Sequence, residues 1–143
     1  MTIREATPAD AEAMAALSGE LGYVASSDAM ATRLARVLGR ADQRVRVALV
    51  DGRIAGWAQA HATDVIESGF RVEIVGLVVS EHFRRRGVGR ALVQEIERWA
   101  AEIHADALVV RSNVARQESH RFYPALGYEM TKTQAVYRKR LSR

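Results

Sequence analysis

Apolar residues recur along this chain with two periods, one near four and one of two, and the periods change at glycines. After a short strand candidate at Thr2–Glu5, Thr7-Pro8-Ala9-Asp10 reads as a helix start. Thr7 suits the N-cap, Pro8 the first helical position, and Asp10 the positive end of the helix dipole. Ala13, Leu17 and Leu21 follow at four-residue spacing, and Gly22 ends the segment. Ser26 and Ser27 open a second helix, with Met30, Leu34, Val37 and Leu38 on one face and Arg33, Arg36 and Arg40 on the other. Residues 44–51 alternate, Asp51-Gly52 forms a tight-turn pair, and Arg53–Ala62 reads as the return strand. Residues 70–79 are the most β-rich run and predict a central strand, with Gly76 as a candidate bulge. Gly87–Ile103 carries Val88, Leu92, Ile96, Trp99 and Ile103 at helical spacing. Ala107–Arg111 predicts a buried strand and residues 115–123 a helix, and Gly127 punctuates. Two strands, near Tyr128–Thr131 and Gln134–Leu141, are expected to close the chain. The order β-α-α-β-β-β-α-β-α-β-β predicts an α/β fold: one mixed sheet with helices on both faces, in a single domain spanning 1–143.

Composition narrows the chemistry. The 143 residues include no cysteine, which excludes disulfides, zinc–thiolate and iron–sulfur sites, and a covalent cysteine intermediate. The net charge is +4, and of the 21 basic residues all but Lys132 and Lys139 are arginine. Such a balance fits nucleic-acid binding, a small phosphorylated ligand, or drift in source composition. The polar N-terminus does not read as a signal peptide, and the longest strongly apolar stretch, Ile74–Val79, is far short of a membrane span. A cytoplasmic location and no membrane partner are expected.

The arginines become informative where they cluster. A predicted strand ends at Val79, and Arg84-Arg85-Arg86-Gly87-Val88-Gly89-Arg90 then opens the longest predicted helix. Free N–H groups at a helix start, the dipole, and glycines that admit close approach make an anion cradle, and the four arginines add full charges. A pyrophosphate is the natural occupant. A P-loop is excluded, because no Gly-Lys-Ser/Thr triplet exists. A dinucleotide fingerprint is excluded because Leu92 stands where its third glycine would fall.

The run Arg84-x-x-Gly87-x-Gly89 after a β-rich strand resembles the acetyl-CoA motif of the GNAT superfamily of N-acetyltransferases. The later segment from Asn113 to His120-Arg121-Phe122-Tyr123-Pro-Ala-Leu-Gly127-Tyr128-Glu129 is similar to that family's second landmark. Leu21-Gly22-Tyr23 is also similar to members of the group, and the element order fits nearly the whole chain. The resemblance implies acetyl-CoA as cosubstrate, no metal, and a cleft where strands 70–79 and 106–112 part. It implies main-chain contacts from Leu77 and Val79 to the pantetheine arm, and an N–H near Leu77 or Val78 that polarises the thioester carbonyl. The pyrophosphate would sit on the amides of Arg86, Gly87, Val88, Gly89 and Arg90, with Arg84 and Arg85 beside it. Asn113 would hydrogen-bond the pantetheine or cap the following helix.

The implied reaction is direct attack of an amine on the thioester in a ternary complex. Glu73 is the favoured base and also an acceptor contact. It reads alternatively as a glutamate paired with Arg71 or a cross-strand arginine, with His61 as rival base. Tyr123 matches the tyrosine that protonates the departing thiolate, although Pro124 after it is expected to disturb helical geometry at that point. Tyr23, Glu20, Asp64 and Glu67 lie where the family recognises its acceptor, a small-molecule or peptide amine. Two other readings stay open: a regulator that reads nucleic-acid phosphates with Arg84–Arg90 and Arg138-Lys139-Arg140, and a catalytically silent CoA-binding module. The favoured reading includes no nucleic acid. The charged run 136–141 suits a protected edge strand or pairing with a second subunit, which leaves a homodimer open.

Overall fold

A computed structural model describes residues 1–111 and 117–142, in two compact units, Met1–Arg111 and Ser112–Arg143. The first unit is built on one sheet in the order β1-β2-β3-β4-β5: Thr2–Glu5, Gln43–Val50, Arg53–Val65, Gly69–Val79 and Ala107–Val110. Neighbours run antiparallel except β4 and β5, which are parallel and joined through a helix. Helices α1 (Ala11–Glu20) and α2 (Ser27–Val37) follow β1, and α3 (Val88–Glu102) connects β4 to β5.

The two faces of the sheet hold separate cores, as strand alternation requires. Met14 and Leu34 from α1 and α2 pack with Val45 and Val47, with Trp57 at the margin. Val88 and Leu92 from α3 pack with Ala48, Ala55 and Ala58 on the opposite face. The alanines and Gly56 let α3 come close. A Cβ on Gly56 would lie 2.8 Å from the Val78 carbonyl oxygen and 3.0 Å from Val88 Cγ1. The β2–β3 hairpin turns through Asp51 (φ 51°) and Gly52 (φ 75°), both left-handed as this two-residue turn demands.

The expected start of α1 is present with one refinement. Pro8–Asp10 form a single 3-10 turn before the α-helix, and the Asp10 carboxylate locks it. Asp10 accepts from the Thr7 N–H (2.7 Å) and from both terminal nitrogens of Arg4 (2.8 and 2.9 Å). The Arg4 bonds above all, and then the Thr7 N–H, hold the Asp10 carboxyl below the usual carboxylate range against the opposing effect of burial. Ser26 caps α2 as expected, accepting from the Ala29 N–H at 3.0 Å.

In the second unit α4 spans Gln117–Ala125, and Pro124 does not interrupt it. Pro124 lies in the last turn, so it removes one rung near the end of the ladder. The helix then closes with Gly127 at φ 91°, while the Gly127 N–H bonds to the Pro124 carbonyl and the Tyr128 N–H to the Tyr123 carbonyl.

The two closing strands are not formed. Residues 128–142 carry neither helix nor strand, and Met130, Val136, Tyr137 and Leu141 are exposed. Val136 and Tyr137 are adjacent, so a strand would point them to opposite faces, and Arg138-Lys139-Arg140 would put charge on both. With no face wholly apolar, burial does not fix the segment as a strand, whatever its residue propensities.

Two stability measurements test this packing. Gly56→Ala should lower stability by about 1–3 kcal/mol through overpacking. Gly19→Ala, where a Cβ meets nothing within 4 Å, should raise it by about 0.5–1 kcal/mol through helix propensity. Equal effects in denaturant unfolding would contradict the account. A lowered carboxyl pKa stabilises the fold above the unfolded-state value and loses that contribution as pH falls through the folded-state value. Asp10→Asn should therefore be less stable than the parent at about pH 7, with the gap shrinking below about pH 3.9. A gap independent of pH would count against the Arg4–Asp10 contact.

Candidate active site

β4 holds the irregularity from which the site is built. Opposite β3, Ile74 pairs with Ala60 and Gly76 with Gln59, so Val75 is an extra residue without a partner there. The expected bulge is thus present, one residue before Gly76. Gly76 itself is set by its neighbour: a Cβ would lie 2.9 Å from Trp57 Cζ3 and 3.1 Å from Cη2. On the other side, β4 and β5 pair from Arg71–Ala107 to Ile74–Val110 among the described residues. From Gly76 to Val79, β4 keeps partners on its β3 side alone among the described residues. Val78 is buried, and Leu77 and Val79 half-buried against the α3 core.

This half-paired strand runs straight into the arginine loop. Ser80 Oγ accepts from the His82 N–H (3.3 Å), one 3-10 turn follows at Glu81–Phe83, and Phe83 is buried as its anchor. Arg85 (φ 64°) and Gly87 (φ 74°) are left-handed, and Gly87 precedes α3. Such alternation turns successive N–H groups to one side. The α3 ladder starts with the Ala91 N–H on the Gly87 carbonyl at 2.9 Å. The amides of Val88, Gly89 and Arg90 precede that rung. Arg84, Arg85, Arg86 and Arg90 are exposed, whereas the Val88 side chain is core. Arg86 lies 5.6 Å from the Phe83 ring and Arg84 is 3.8 Å from Glu81.

On the α1/α2 face, before the bulge, lies Glu73. It is buried, and both of its oxygens accept from Arg111 Nη1 at 2.6 Å, with Arg71 Nη2 3.6 Å away. The ion-paired reading of Glu73 therefore describes its contacts, at a buried position. His61 stands opposite Glu73 across the β3–β4 pair. Farther along the same face of the sheet, a cavity of about 270 Å³ lies between α1, α2 and the sheet, with Trp57 and Gln59 among its lining residues.

The other candidates are dispersed. Tyr23 is exposed at the α1–α2 connection, and Asp64 and Glu67 are exposed near the β3–β4 turn. Glu20 is engaged: its Oε1 accepts from Ser80 Oγ (3.4 Å) and the Glu81 N–H (3.3 Å), which ties the end of α1 to the start of the arginine loop. Tyr123 lies in α4, edge-on to Phe122 at 4.9 Å and to Tyr128 at 6.0 Å. Asn113 falls outside the described residues. The sequence reading passed over Trp57 and the Glu20–Ser80 link. Trp57 looks like any core aromatic until the register sets its ring on Gly76, and Glu20 and Ser80 are far apart in sequence. Among the described residues no helix is long and apolar enough to cross a membrane, and no His/Asp/Glu group is arranged to hold a metal ion.

The chain is similar to known proteins in sequence and fold. Residues 11–128 match the model of the acetyltransferase (GNAT) family. The chain is 31% identical over 142 residues to the aminoglycoside N(6')-acetyltransferase type 1 of Stenotrophomonas maltophilia, covering 96% of this chain and 92% of that one. It is 29% identical over 137 residues to the aminoalkylphosphonate N-acetyltransferase of Salmonella typhimurium, covering 90% and 85%. Among solved structures, aminoglycoside N-acetyltransferase AAC(6')-Iy in complex with CoA superposes with a TM-score of 0.86 at 25% identity, covering 98% of this chain and 95% of that one. The parted strand, the arginine loop at a helix start and these relatives agree: the chain belongs to the GNAT family and is an N-acetyltransferase.

Proposed function

We propose that the chain moves an acetyl group from acetyl-CoA to a primary amine by direct attack in a ternary complex. One observation carries this reading. Among the described residues β4 outruns β5 at Ile74 and continues, with partners on the β3 side, into the left-handed turns before α3. An extended pantetheine arm would add to such an edge as a strand does, through main-chain groups of Leu77, Val78 and Val79. The pyrophosphate would take the amides from Arg86 to Arg90, including Gly87, Val88 and Gly89, with Arg84 and Arg85 beside them. Asn113 is assigned to the pantetheine on the family pattern alone. The CoA-bound neighbour and the names of the relatives, which share an amine nitrogen as acceptor, support the cosubstrate and the class of acceptor.

In the reaction the amine nitrogen bonds to the acetyl carbon, the carbon–sulfur bond breaks, the amine gives up a proton and the thiolate takes one. A main-chain N–H near Leu77 or Val78 would carry the charge that develops on the carbonyl oxygen. We assign the amine's proton to Glu73, directly or through water. A carboxylate has about four lone-pair positions and Arg111 Nη1 uses two, so acceptor capacity remains. His61, across the strand pair, is the rival base. Tyr123 is assigned as the acid that protonates the thiolate, and Tyr23 as an acceptor contact, on their matching positions in the family. A chain with no cysteine suits one-step transfer.

Thiol release over a panel of amines tests the reading. Glu73→Gln and Tyr123→Phe should each lower kcat by about 10²-fold or more while acetyl-CoA affinity stays within about threefold. Glu73→Gln should also flatten the rise of rate with pH. An unchanged pH profile would transfer the base role to His61 or water, and unchanged turnover in Tyr123→Phe would remove its acid role.

A further inference from the structure

The side chains around Glu73 carry information about the acceptor that the transfer reaction does not require. Glu73 and Arg71 are two apart on β4, so they share one face, and the register sets His61 of β3 opposite Glu73. Arg111 reaches the same carboxylate. Two guanidiniums thus meet one carboxylate, which leaves this patch positive. Its hydrogen-bonding capacity is unbalanced in the same sense. Arg71 Nε is buried and has no acceptor among the described residues. It is a donor only, so what it lacks is an oxygen lone pair. Arg111 uses Nη1 on Glu73, while its side chain is 54% exposed with further donors to offer.

Farther along the same face, the cavity between α1, α2 and the sheet has Arg33, Trp57 and Gln59 as its polar lining and no acid. The acids that would attract a polycation are elsewhere. Glu20 is held by Ser80 and the Glu81 N–H, and Asp64 and Glu67 are exposed near the β3–β4 turn. A polyamine brought to this face would set ammonium groups against two guanidiniums, a repulsion that partial burial strengthens.

We propose that the acceptor is a small amine that also bears an oxyanion, a carboxylate or a phosphonate, within a few bonds of its nitrogen. Its amine faces Glu73, and its oxyanion takes the open donors of Arg71 and Arg111. The short spacing follows from the cluster, because both arginines lie within 4 Å of the glutamate. This inference rests on the N-acetyltransferase reading and narrows its substrate class.

The test is thiol release with acetyl-CoA and four amines: 2-aminoethylphosphonate, β-alanine, the neutral 3-aminopropanol and the polycation kanamycin. Acetyl-CoA binding is measured by calorimetry on the same preparation. At least one of the two anionic amines should exceed both others in kcat/KM by about tenfold, the usual weight of a charge-assisted bond. Which of the two does so separates phosphonate from carboxylate. Arg71→Gln should reduce that ratio to below about threefold, and Arg71→Lys, which keeps the charge, should hold an intermediate value. Kanamycin or aminopropanol equal to or better than both anionic amines would overturn the inference and leave the transfer reaction standing. So would a protein that binds acetyl-CoA but acetylates neither anionic amine. A protein that binds no acetyl-CoA and releases no thiol with any amine would overturn both.

Discussion

A single extra residue in β4 organises the first unit. Val75 breaks the register with β3, and Gly76 fits because the Trp57 ring leaves no room for a side chain. Pairing with β5 ends one residue earlier, at Ile74. Among the described residues β4 is therefore an interior strand over its first half and an edge over its second. An edge in the middle of a sheet leaves unmet main-chain groups. The rest of the fold steadies it: α3 packs tightly on β3 through Gly56, and Glu20 of α1 fastens the loop that follows.

That loop follows the open strand end with the amides proposed to hold the pyrophosphate. The left-handed turns at Arg85 and Gly87 gather amides before the first rung of α3, and buried Phe83 pins the chain between them and the sheet. On the other side of the bulge the charge is arranged differently, with Glu73 enclosed by two arginines rather than open to solvent. Arginines thus gather in two places, once at an exposed loop and once around a buried glutamate. These are chemically distinct, since the first has free amides and the second has a carboxylate at its centre.

Much of this was legible in the sequence. The elements from β1 to α4 appear in the expected order, because each was marked by period and punctuation: Asp51-Gly52 at the hairpin, Ser26 at a cap, glycines before α3. The arginine loop was legible for the same reason, since its residues are consecutive. The closing strands failed because propensity at Val136 and Tyr137 does not provide a face to bury. The helix expected to suffer at Pro124 persists, since a proline in the final turn costs one rung. What local pattern could not give were contacts across the sheet. Arg111 on Glu73 and Trp57 on Gly76 depend on strand register, which pairs residues far apart in the chain.

The half-paired end of β4 and the amides before α3 are proposed to form one continuous surface for acetyl-CoA. Amide hydrogen exchange, with and without acetyl-CoA, reports on it residue by residue. Protection should rise within 75–79 and at Val88, Gly89 and Arg90, while residues 71–74, already paired on both sides, should change little. Protection that appears elsewhere with these amides unaltered would contradict it.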